Sequence, residues 1–526
     1  MFAVPSKHSF RVTWKSFFGS SKGWVCMICV SLARGRHRYL LTELRHLGQQ
    51  GVGLVELRLD CIQRKVQVKR LLADRSCPVI ATCRRKQDGG HWERTEEERL
   101  TILRTAIAEG VDYVDLEDDV AKAIPRFGET RRIISFHDFK RTPNDLRGLH
   151  AYLADLDADV VKIATLANHP NDNLRMLELV QSSDTPTVGL CMGEIGTPSR
   201  VLAGRFGAAF TFAPFNPEKI LAPGQIPWKQ LCDMYRYDAI TPSTKVYGVV
   251  ADPVGHSLSP VVHNAACEAA GIDAVYLPFL IPKGHLRDFL KKAKDWPLAG
   301  LSVTIPHKET VLEFASSDGD LVEEIGAANT LSFDHETGEC KAFNTDVTAA
   351  ISAIQDALAA QDAGFGGRLG LKTALILGAG GAARAIAFGL KKQGVEVTVS
   401  SRTTERAAAL AELVNGKVVD WSARQRLPYD CIVNATPIGM HPKVNETPFD
   451  ANHLRPYMVV FDTVYNPENT LLVKESREVG CRVVTGVEMF VRQAAEQFNI
   501  WHGRKPPEGV MRLALKQATS SVRIIE

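Results

Sequence analysis

Short apolar runs alternate with helix-like stretches along the first half of the chain. The eight runs cover residues 25–32, 53–59, 78–82, 113–116, 132–136, 160–164, 187–191 and 208–212. Between them, residues 100–108 and 174–180 space their apolar side chains as one buried face of a helix does. Because eight strand–helix repeats occupy roughly 215 residues, the pattern predicts an N-terminal (β/α)8 barrel.

The rest of the chain predicts two further α/β units. The segment 237–245 has the composition of a linker, and an α/β unit follows from about 246 to 344. Another unit begins with a strand at 371–377, which enters a glycine-rich turn and then a helical stretch. The predicted boundaries are 1–22 for an N-terminal extension, 23–240 for the barrel, 246–345 for a substrate domain, 346–485 for a Rossmann domain, and 486–526 for a C-terminal helical segment packing back on the substrate domain.

Composition narrows the class of protein. With 526 residues, the chain exceeds the size at which a single core keeps growing. Its 45% apolar and 23% charged residues are typical of a globular protein. The net charge of +3 is too small to indicate a nucleic-acid groove, and no apolar run is long enough to span a bilayer. Neither nucleic acid nor a membrane is therefore expected as a partner.

The cysteines and the N-terminus bear on location and metals. Eleven cysteines, an odd number, fit reduced thiols in a cytosol-like compartment better than a disulfide framework. Cys26 and Cys29 alternate along an apolar run, which indicates a core strand rather than a redox or zinc pair, so no metal is expected. Residues 1–22 have no acidic residue, as in transit peptides, although a disordered extension or a misassigned start is preferred. The predicted location is the cytoplasm, with a plastid as the alternative.

The first candidate site lies at the ends of the predicted barrel strands. Glu56, Arg58, Arg84, His137 and Lys162 all fall at or next to such ends, where barrels place their chemistry. Lysine attacks a ketone only as the neutral amine, and the positive charge of nearby arginines disfavours its charged form. A single lysine or histidine there could be a solvated charge or a structural residue, but five such groups are hard to explain in that way.

Three further residues extend this site. Arg200, with Arg58 and Arg84, could hold a substrate carboxylate through paired hydrogen bonds. His137 can move protons to and from carbon and oxygen, and Asp88 or Asp138 could fix its tautomer.

Residues 25–240 resemble type I 3-dehydroquinate dehydratases. The matching segments are Glu56-Leu57-Arg58-Leu59-Asp60, Thr82-Cys83-Arg84 with Gly89-Gly90, Ser135-Phe136-His137-Asp138, Val161-Lys162-Ile163-Ala164, Met192-Gly193, Ser199-Arg200 and Ala222-Pro223-Gly224-Gln225. The resemblance implies that Lys162 forms a Schiff base with the C3 ketone of 3-dehydroquinate and that His137 handles the C2 proton and the leaving C1 hydroxyl. It implies substrate contacts from Ser31, Glu56, Arg58, Arg84, Arg200 and Gln225. Two positions depart from the family pattern, with Leu221 where serine is usual and Asp88 where glutamate is usual.

The second candidate site combines a nucleotide turn with a lysine. Gly378-x-Gly380-x-x-Ala383 follows a predicted strand and precedes a helix, which is typical of a Rossmann phosphate turn. About 20 residues on, where NAD enzymes carry an acid, stand Ser401, Arg402 and Thr403, which favour the 2′-phosphate of NADP. The alternative for Arg402 is an ordinary surface charge.

The unit before that turn offers the reacting groups. Ser257 and Ser259 present two hydroxyls after a glycine turn, and Lys308 can exchange a proton as a hydride moves. Asp346 can hold that lysine and the reacting oxygen. The alternatives are an exposed lysine and, for Asp346, a helix N-cap before residues 347–358.

Residues 246–515 resemble shikimate dehydrogenases. The matching segments are Gly255-His256-Ser257-Leu258-Ser259-Pro260, Ser302-Val303-Thr304-Ile305-Pro306-His307-Lys308, Gly326-Ala327-Ala328-Asn329-Thr330, Asn344-Thr345-Asp346, Gly378-Ala379-Gly380-Gly381-Ala382, Asn434-Ala435-Thr436-Pro437 and Gly486-Val487-Glu488-Met489-Phe490-Val491-Arg492-Gln493. The resemblance implies shikimate contacts from Ser257, Ser259, Thr304, Asn329, Asp346, Tyr465 and Gln493. It implies NADP contacts from Gly378, Ala379, Gly380, Gly381, Ala382, Ser401, Arg402, Thr403 and Arg406, with Thr436, Thr463 and Gly486 near the nicotinamide. Several members of the family have methionine where this chain has Thr463.

The product implied for the first half, 3-dehydroshikimate, is the substrate implied for the second half. The chain therefore resembles the fused dehydratase–shikimate dehydrogenases, with 3-dehydroquinate, 3-dehydroshikimate and shikimate as small-molecule partners, NADP(H) as cofactor and the oligomeric state open. A metabolite-sensing regulator would lack proton-transfer residues, yet Lys162, His137, Lys308 and Asp346 are present. Ser259 disfavours a quinate dehydrogenase, because quinate-using relatives often alter that hydroxyl.

Overall fold

The computed structural model describes residues 27–73, 75–359 and 370–520. The predicted N-terminal extension and Cys26 lie outside the described residues, whereas Cys29 is buried in the first strand as expected. Among the described residues, none of the helices combines the length and the apolar character that a bilayer crossing requires.

Eight parallel strands form a nearly closed barrel in which most sequence neighbours pair with each other, as the repeat predicts. The strands are β1 (Ile28–Leu32), β2 (Leu54–Arg58), β3 (Val79–Thr82), β4 (Tyr113–Glu117), β5 (Arg131–Asp138), β6 (Val160–Leu166), β7 (Thr187–Met192) and β8 (Thr211–Pro214). Strand β8 pairs with β1, and the Ala209 N–H donates to the Thr187 carbonyl (2.9 Å), which brings the start of β8 to β7. Strands β5 and β6 run two residues further than predicted.

Helices cover the outside of the barrel. They are α1 (His37–Gln49), α2 (Val68–Leu72), α3 (Glu96–Ala108), α4 (Leu146–Ala154), α5 (Asp172–Ser182), α6 (Thr197–Val201) and α7 (Trp228–Asp233). Helix α3 begins at a capping box, in which the Thr95 hydroxyl accepts from the Glu98 N–H and the Glu98 carboxylate accepts from the Thr95 N–H.

Side-chain alternation gives the barrel interior an apolar layer and a polar layer. Tyr113, Ile133 and Val160 belong to the apolar cluster inside the barrel. Successive strand side chains point to opposite faces, so the residues two positions further along, Asp115, Ser135 and Lys162, also point inward. The polar layer therefore lies toward the carboxyl ends of the strands.

A mixed six-stranded sheet forms the next domain, with the strand order β10-β9-β11-β13-β14-β12. Its strands are β9 (Lys245–Ala251), β10 (Ala274–Leu280), β11 (Leu298–Val303), β12 (Ser316–Ser317), β13 (Thr330–Phe333) and β14 (Cys340–Phe343). Its helices are α8 (Ser259–Ala269), α9 (Leu286–Lys291) and α10 (Asp320–Ile325). Strands β9, β10 and β11 are parallel, whereas β13 runs antiparallel to β11.

The third sheet has six parallel strands in the order β17-β16-β15-β18-β19-β20. The strands are β15 (Thr373–Leu377), β16 (Glu396–Ser400), β17 (Lys417–Val418), β18 (Cys431–Asn434), β19 (Val459–Asp462) and β20 (Arg482–Val484). The helices are α11 (Asp346–Ala359), α12 (Gly381–Lys392), α13 (Thr404–Leu413) and α14 (Leu471–Val479). This is the doubly wound order. The chain adds strands outward on one side of β15 and then, from β18, on the other side, and the crevice between β15 and β18 can hold a dinucleotide.

Two C-terminal helices, α15 (Gly486–His502) and α16 (Glu508–Thr519), return to the middle sheet. Val491, Phe498 and Met511 share one buried cluster with Tyr247 of β9 and Val262 of α8.

The barrel and the middle domain share a continuous apolar core. One cluster of buried side chains runs from the barrel layer through Tyr237 and Ile240 to Val246 and Val250 of β9. The segment predicted as a linker is therefore packed, and the Thr244 hydroxyl also donates to the Asp273 carboxylate (2.6 Å). Its buried aromatic and aliphatic side chains join the two domains.

Candidate active sites

A small pocket opens at the carboxyl ends of the barrel strands and encloses about 60 Å³. The predicted residues Glu56, Arg58, Arg84, His137, Lys162 and Arg200 all line it, together with Asp88, Phe139, Leu221 and Ala222. Ser31 contacts the lining residue Glu56, because its hydroxyl donates to the Glu56 carboxylate (2.5 Å). The structure thus brings together predicted residues that are up to 169 positions apart in the chain, from Ser31 to Arg200.

Lys162 makes an ion pair that the sequence did not suggest. Its Nζ lies 2.9 Å from Oδ2 of Asp115 and 4.0 Å from the centre of the Phe212 ring. Burial alone would raise the pKa of Asp115, but Arg84 and Lys162 hold that pKa well below its usual range. Asp115 is therefore a permanent counter-ion that fixes the lysine, and it is a poor proton acceptor.

The three arginines differ in how much of their hydrogen-bonding capacity is already used. Arg84 pairs with Asp115 (2.7 Å) and Glu117 (3.0 Å), and Arg58 forms a two-pronged contact with Asp60 (3.0 and 2.8 Å). Arg200 is 1% exposed, donates to the Pro223 carbonyl at 3.3 Å, and has a buried Nε that lacks a partner among the described residues.

Burial lowers the pKa of Arg200 to about 10, and the residue still carries its charge at neutral pH. Among the three arginines, Arg200 therefore has the greatest unused capacity to hold a carboxylate.

His137 is half-buried and lies near the cations Arg84 and Lys162. Burial, and then the charges of Arg84 and Lys162, hold the pKa of its imidazole well below the ordinary value, so the ring is neutral near pH 7. A neutral ring can accept a proton. The expected hydrogen bond from the imidazole to Asp88 or Asp138 is not formed, and Nδ1 has no partner among the described residues.

The two carboxylates are engaged elsewhere. Asp88 accepts from Arg85 (2.7 Å), and Asp138 accepts from the backbone N–H groups of Lys140 and Arg141. Both are therefore used to shape the loops after β3 and β5.

Gln225 does not face into this pocket. Its Oε1 accepts from the N–H groups of Leu221 (2.7 Å) and Ala222 (3.1 Å), so the amide closes its own loop. That loop places Leu221 in the pocket lining, which contributes to its small volume. A contact from Gln225 to a ligand stays a prediction and requires the side chain to turn.

A second pocket of about 270 Å³ lies in the cleft between the middle domain and the Rossmann domain. The predicted residues Ser257, Ser259, Thr304, Lys308, Asn329, Asp346, Tyr465 and Gln493 all line it, as do Ala382, Thr463 and Gly486. The cleft therefore collects side chains from the middle domain, the Rossmann domain and helix α15.

A triad of polar groups stands at the centre of this cleft. The ammonium group of Lys308 donates to Oδ2 of Asp346 in a close contact, while Asn329 donates to Oδ1 of the same carboxylate (3.0 Å). Asp346 is the first residue of α11, yet its side chain faces the cleft rather than capping the helix. The Asp346 carboxylate therefore bridges Lys308 and Asn329 and fixes the position of the lysine amine.

A second layer supports this triad and was not predicted. The Ser302 hydroxyl accepts from Tyr276 (2.7 Å) and donates to Oε1 of Gln497 (2.8 Å). Gln497 in turn donates to the Asn329 carbonyl (3.1 Å). Because Ser302 and Gln497 are 195 positions apart, only the three-dimensional fold brings them together.

The glycine turn after β15 fits a dinucleotide. Gly378 has φ +107, and a Cβ there would lie 2.6 Å from the Ala435 carbonyl oxygen, so only glycine fits. At Gly381, the first residue of α12, a Cβ would lie 2.8 Å from Cδ of Lys308. The stem of that lysine therefore lies against the start of α12, where a phosphate would bind.

The end of β16 presents hydroxyls and cations. Ser401 follows the strand directly, and its hydroxyl accepts from the Thr403 N–H (3.4 Å). Arg402, Thr403 and Arg406 are exposed, and the segment carries no carboxylate where the ribose would lie until Glu405. This donor set fits a phosphate on the ribose better than a free hydroxyl.

Three further predicted residues border the same crevice. The Thr436 hydroxyl donates to Asn434 (2.7 Å), and the Thr463 N–H donates to the Asn434 carbonyl (2.9 Å). A Cβ on Gly486 would lie 2.5 Å from the Val464 carbonyl, so the backbone approaches closely there.

The chain is similar to known families along most of its length. Residues 28–242 match type I 3-dehydroquinase, residues 249–331 match the shikimate dehydrogenase substrate binding domain, and residues 486–516 match the shikimate 5′-dehydrogenase C-terminal domain. Residues 372–461 match a domain described as NADP oxidoreductase, coenzyme F420-dependent.

Individual relatives agree with these matches. A bifunctional 3-dehydroquinate dehydratase/shikimate dehydrogenase, chloroplastic, from Arabidopsis thaliana is 38% identical over 92% of this chain and 83% of its own length. A shikimate dehydrogenase (NADP(+)) from Methanocella arvoryzae is 41% identical over 52% of this chain and 98% of its own. A crystal structure of shikimate 5-dehydrogenase from Thermus thermophilus with NADP(H) and shikimate is 32% identical over 52% of this chain and 99% of that one, with a TM-score of 0.46.

Proposed function

Because the chain belongs to the bifunctional 3-dehydroquinate dehydratase/shikimate dehydrogenase family, we propose specific roles for its own residues in two consecutive reactions. The protein dehydrates 3-dehydroquinate to 3-dehydroshikimate through a lysine Schiff base and reduces this product to shikimate with NADPH. One observation supports the residue assignment most strongly: each half holds a lysine against a carboxylate inside its own pocket.

In the barrel, Lys162 is the nucleophile. The ammonium group first gives up one proton to solvent, the neutral amine then attacks the C3 carbonyl, and loss of water gives the Schiff base. His137, neutral near pH 7, takes the proton from C2 and returns a proton to the departing C1 hydroxyl, so water leaves and the double bond forms. Hydrolysis of the imine then frees 3-dehydroshikimate and regenerates the amine.

The other barrel residues bind and position the substrate. Arg200 holds the carboxylate of the substrate, because its guanidinium is the least engaged of the three arginines. Asp115 anchors Lys162 and Arg84, whereas Ser31 and Glu56 form a hydrogen-bonded pair at the floor of the pocket. Arg58 and Arg84, which line the pocket, and Gln225 are the remaining proposed substrate contacts.

In the second cleft, Lys308 gives the proton to the carbonyl oxygen of 3-dehydroshikimate, and Asp346 keeps the ammonium group in place. The nicotinamide supplies the hydride when it is bound. Ser257, Ser259, Thr304, Asn329, Tyr465 and Gln493 hold the hydroxyl and carboxylate groups of the ligand. Gly378, Ala379, Gly380, Gly381 and Ala382 hold the pyrophosphate, and Ser401, Arg402, Thr403 and Arg406 hold the 2′-phosphate. Thr436, Thr463 and Gly486 border the nicotinamide.

A one-pot assay tests the whole assignment. Purified protein given 3-dehydroquinate and NADPH should consume NADPH and release shikimate, and neither Lys162→Arg nor Lys308→Ala should do so. Mixing the two variants should restore shikimate formation, because each variant keeps one functional half. Failure of the mixture to do so would contradict the division of roles. Parallel oxidation assays with shikimate and quinate separate this protein from a quinate dehydrogenase, and shikimate should be the better substrate.

Location is also a proposal. Ten of the described cysteines are free thiols, which fits a reducing compartment. We propose the cytoplasm, while the chloroplastic relative from Arabidopsis supports a plastid as the alternative. Mass spectrometry of the native N-terminus would show whether residues 1–22 are retained.

A further inference from the structure

Asp60, Cys61 and His91 converge at the rim of the barrel pocket. The Cys61 Sγ lies 3.7 Å from Nδ1 of His91, and both atoms approach Oδ2 of Asp60, at 3.9 Å and 3.6 Å respectively. Within the described parts of the chain, no other trio of His, Cys, Asp and Glu side chains comes together in this way. Cys61 and His91 are 30 positions apart, so their spacing along the chain did not suggest a metal site.

The three distances are close to those that a tetrahedral zinc ion requires. Zinc lies about 2.3 Å from sulfur and about 2.0–2.2 Å from nitrogen or oxygen, which separates the ligand atoms by about 3.3–3.7 Å. The observed separations of 3.6 and 3.7 Å lie within this range, and the separation of 3.9 Å lies just above it. Small rotations of two side chains would therefore close the site.

The backbone holds this cluster in place. The His91 N–H donates to Oδ2 of Asp60 (3.0 Å), which ties the loop after β3 to the end of β2. At Gly90 a Cβ would lie 2.0 Å from the Arg84 carbonyl oxygen, so this loop packs too closely for a side chain there. The His91 side chain is 61% exposed and the Asp60 side chain is fully buried, so an ion could enter from solvent and meet a fixed ligand.

We propose that Asp60, Cys61 and His91 bind Zn²⁺, with solvent as the fourth ligand, and that occupancy inhibits the dehydratase half. Three protein ligands with one open position are typical of accessible zinc sites. The inhibitory consequence rests on the proposed role of Arg58 in substrate binding, whereas metal binding itself does not.

Zinc binding releases one proton from Cys61. A cysteine thiol binds zinc only as the thiolate. When the S–Zn bond forms, the thiol proton leaves to solvent, and the local charge rises by one. The metal then shares Oδ2 of Asp60 with Arg58, which at present donates to that oxygen at 2.8 Å.

Zn²⁺ and Arg58 would compete for Asp60, and this competition links metal binding to the active site. The paired hydrogen bonds to Asp60 hold the Arg58 guanidinium in the pocket lining that also contains Lys162. A divalent ion on Oδ2 repels the guanidinium and replaces one of these bonds. We therefore expect a rise in the KM for 3-dehydroquinate with little change in kcat.

Cobalt spectroscopy tests the site directly. Full-length protein, with any affinity tag removed, is titrated with Co²⁺, and a thiolate-to-cobalt charge-transfer band with intense visible bands should appear and then disappear on adding Zn²⁺. Cys61→Ser should abolish the charge-transfer band because it removes the thiolate, and His91→Asn should weaken cobalt binding because it removes a ligand. Cys77→Ser and His46→Asn are matched controls on the same barrel, and they should keep the band.

Activity is then measured on the same samples. Saturating Zn²⁺ should raise the KM for 3-dehydroquinate by about tenfold, the loss expected from one charge-assisted hydrogen bond. Zn²⁺ should leave shikimate oxidation by the same polypeptide unchanged, and it should not raise the KM of the Cys61→Ser protein.

A cobalt spectrum that is identical in wild type, Cys61→Ser and His91→Asn would overturn the site. An unchanged dehydratase KM at full occupancy would overturn the inhibitory role. If metal-free wild type showed no dehydratase activity, the proposed function would be wrong. The metal site would still be tested, because the cobalt spectrum does not depend on activity.

Discussion

The amine of Lys162 lies 2.9 Å from a carboxylate oxygen of Asp115, and Arg84 holds the other oxygen of that carboxylate at 2.7 Å. Two buried cations thus share one buried anion whose pKa is held well below its usual range. Removing one member of such a set leaves an uncompensated charge, which is strongly destabilising. Tests of the nucleophile should therefore preserve charge at position 162.

Lys162→Arg preserves the ion pair with Asp115 but removes the amine that we propose as the nucleophile. Dehydratase activity should fall by about 10⁴-fold or more, because the Schiff base cannot form. Borohydride added with 3-dehydroquinate should increase the mass of the wild-type peptide that contains Lys162 and leave the variant peptide unmodified. Dehydrogenase activity of the same polypeptide serves as the folding control. An unmodified Lys162 in wild type under turnover would reject the imine mechanism.

The pH profile of the dehydratase should reflect the lowered pKa of His137. Because burial and two cations lower this pKa, the imidazole stays neutral as the pH falls through 6.5 and protonates only at more acidic pH. The proton acceptor is therefore present throughout the range from pH 8 to pH 6. We expect no titration of kcat near pH 6.5. Half-maximal kcat at that pH, while the dehydrogenase half of the same sample shows an intact fold, would contradict the neutral imidazole.

Asp346→Asn should impair the second reaction alone. The change removes the charge that positions Lys308 while keeping the size of the side chain. Shikimate oxidation should lose about 10²–10⁴-fold in kcat, with NADP binding and dehydratase activity unchanged. Asp356→Asn is a matched control, because Asp356 lies on the same helix and pairs with Arg492 at the surface. Equal losses in both variants would indicate damage to α11 rather than loss of proton transfer.

Arg402→Ala should raise the KM for NADP by about 10–100-fold, the cost of losing a charge-assisted contact to phosphate. The KM for NAD should change little, because NAD has no 2′-phosphate. Arg426→Ala, at another exposed arginine of the same domain, should affect neither cofactor. Equal effects of Arg402→Ala on both cofactors would remove the proposed contact.

The sequence predicted the barrel and the two lysines because both depend on local patterns. Eight apolar runs gave eight strands, and Lys162 and Lys308 both lie in pockets. Asp115 was missed although the signal was present: Tyr113, Asp115 and Glu117 alternate along β4, so all three share one face. The run was interpreted only as an apolar strand.

Other features could not be inferred from spacing. Whether Asp88 or Asp138 reaches His137 depends on loop geometry, and both proved to bind their own loops. The contact between Ser302 and Gln497 requires helix α15 to return across the middle sheet, which no local pattern specifies. The cluster of Asp60, Cys61 and His91 likewise depends on how two loops pack against each other.

Tyr237 and Ile240 are seated where the barrel meets the strand that starts the next domain. Cutting the chain at this point would expose apolar surface on both fragments, which favours aggregation over independent folding. A gene split between the two activities would therefore need compensating polar substitutions at the cut, or co-production of both pieces so that they reassemble. The connection between the two halves is therefore part of a shared core, and it does more than keep them on one chain.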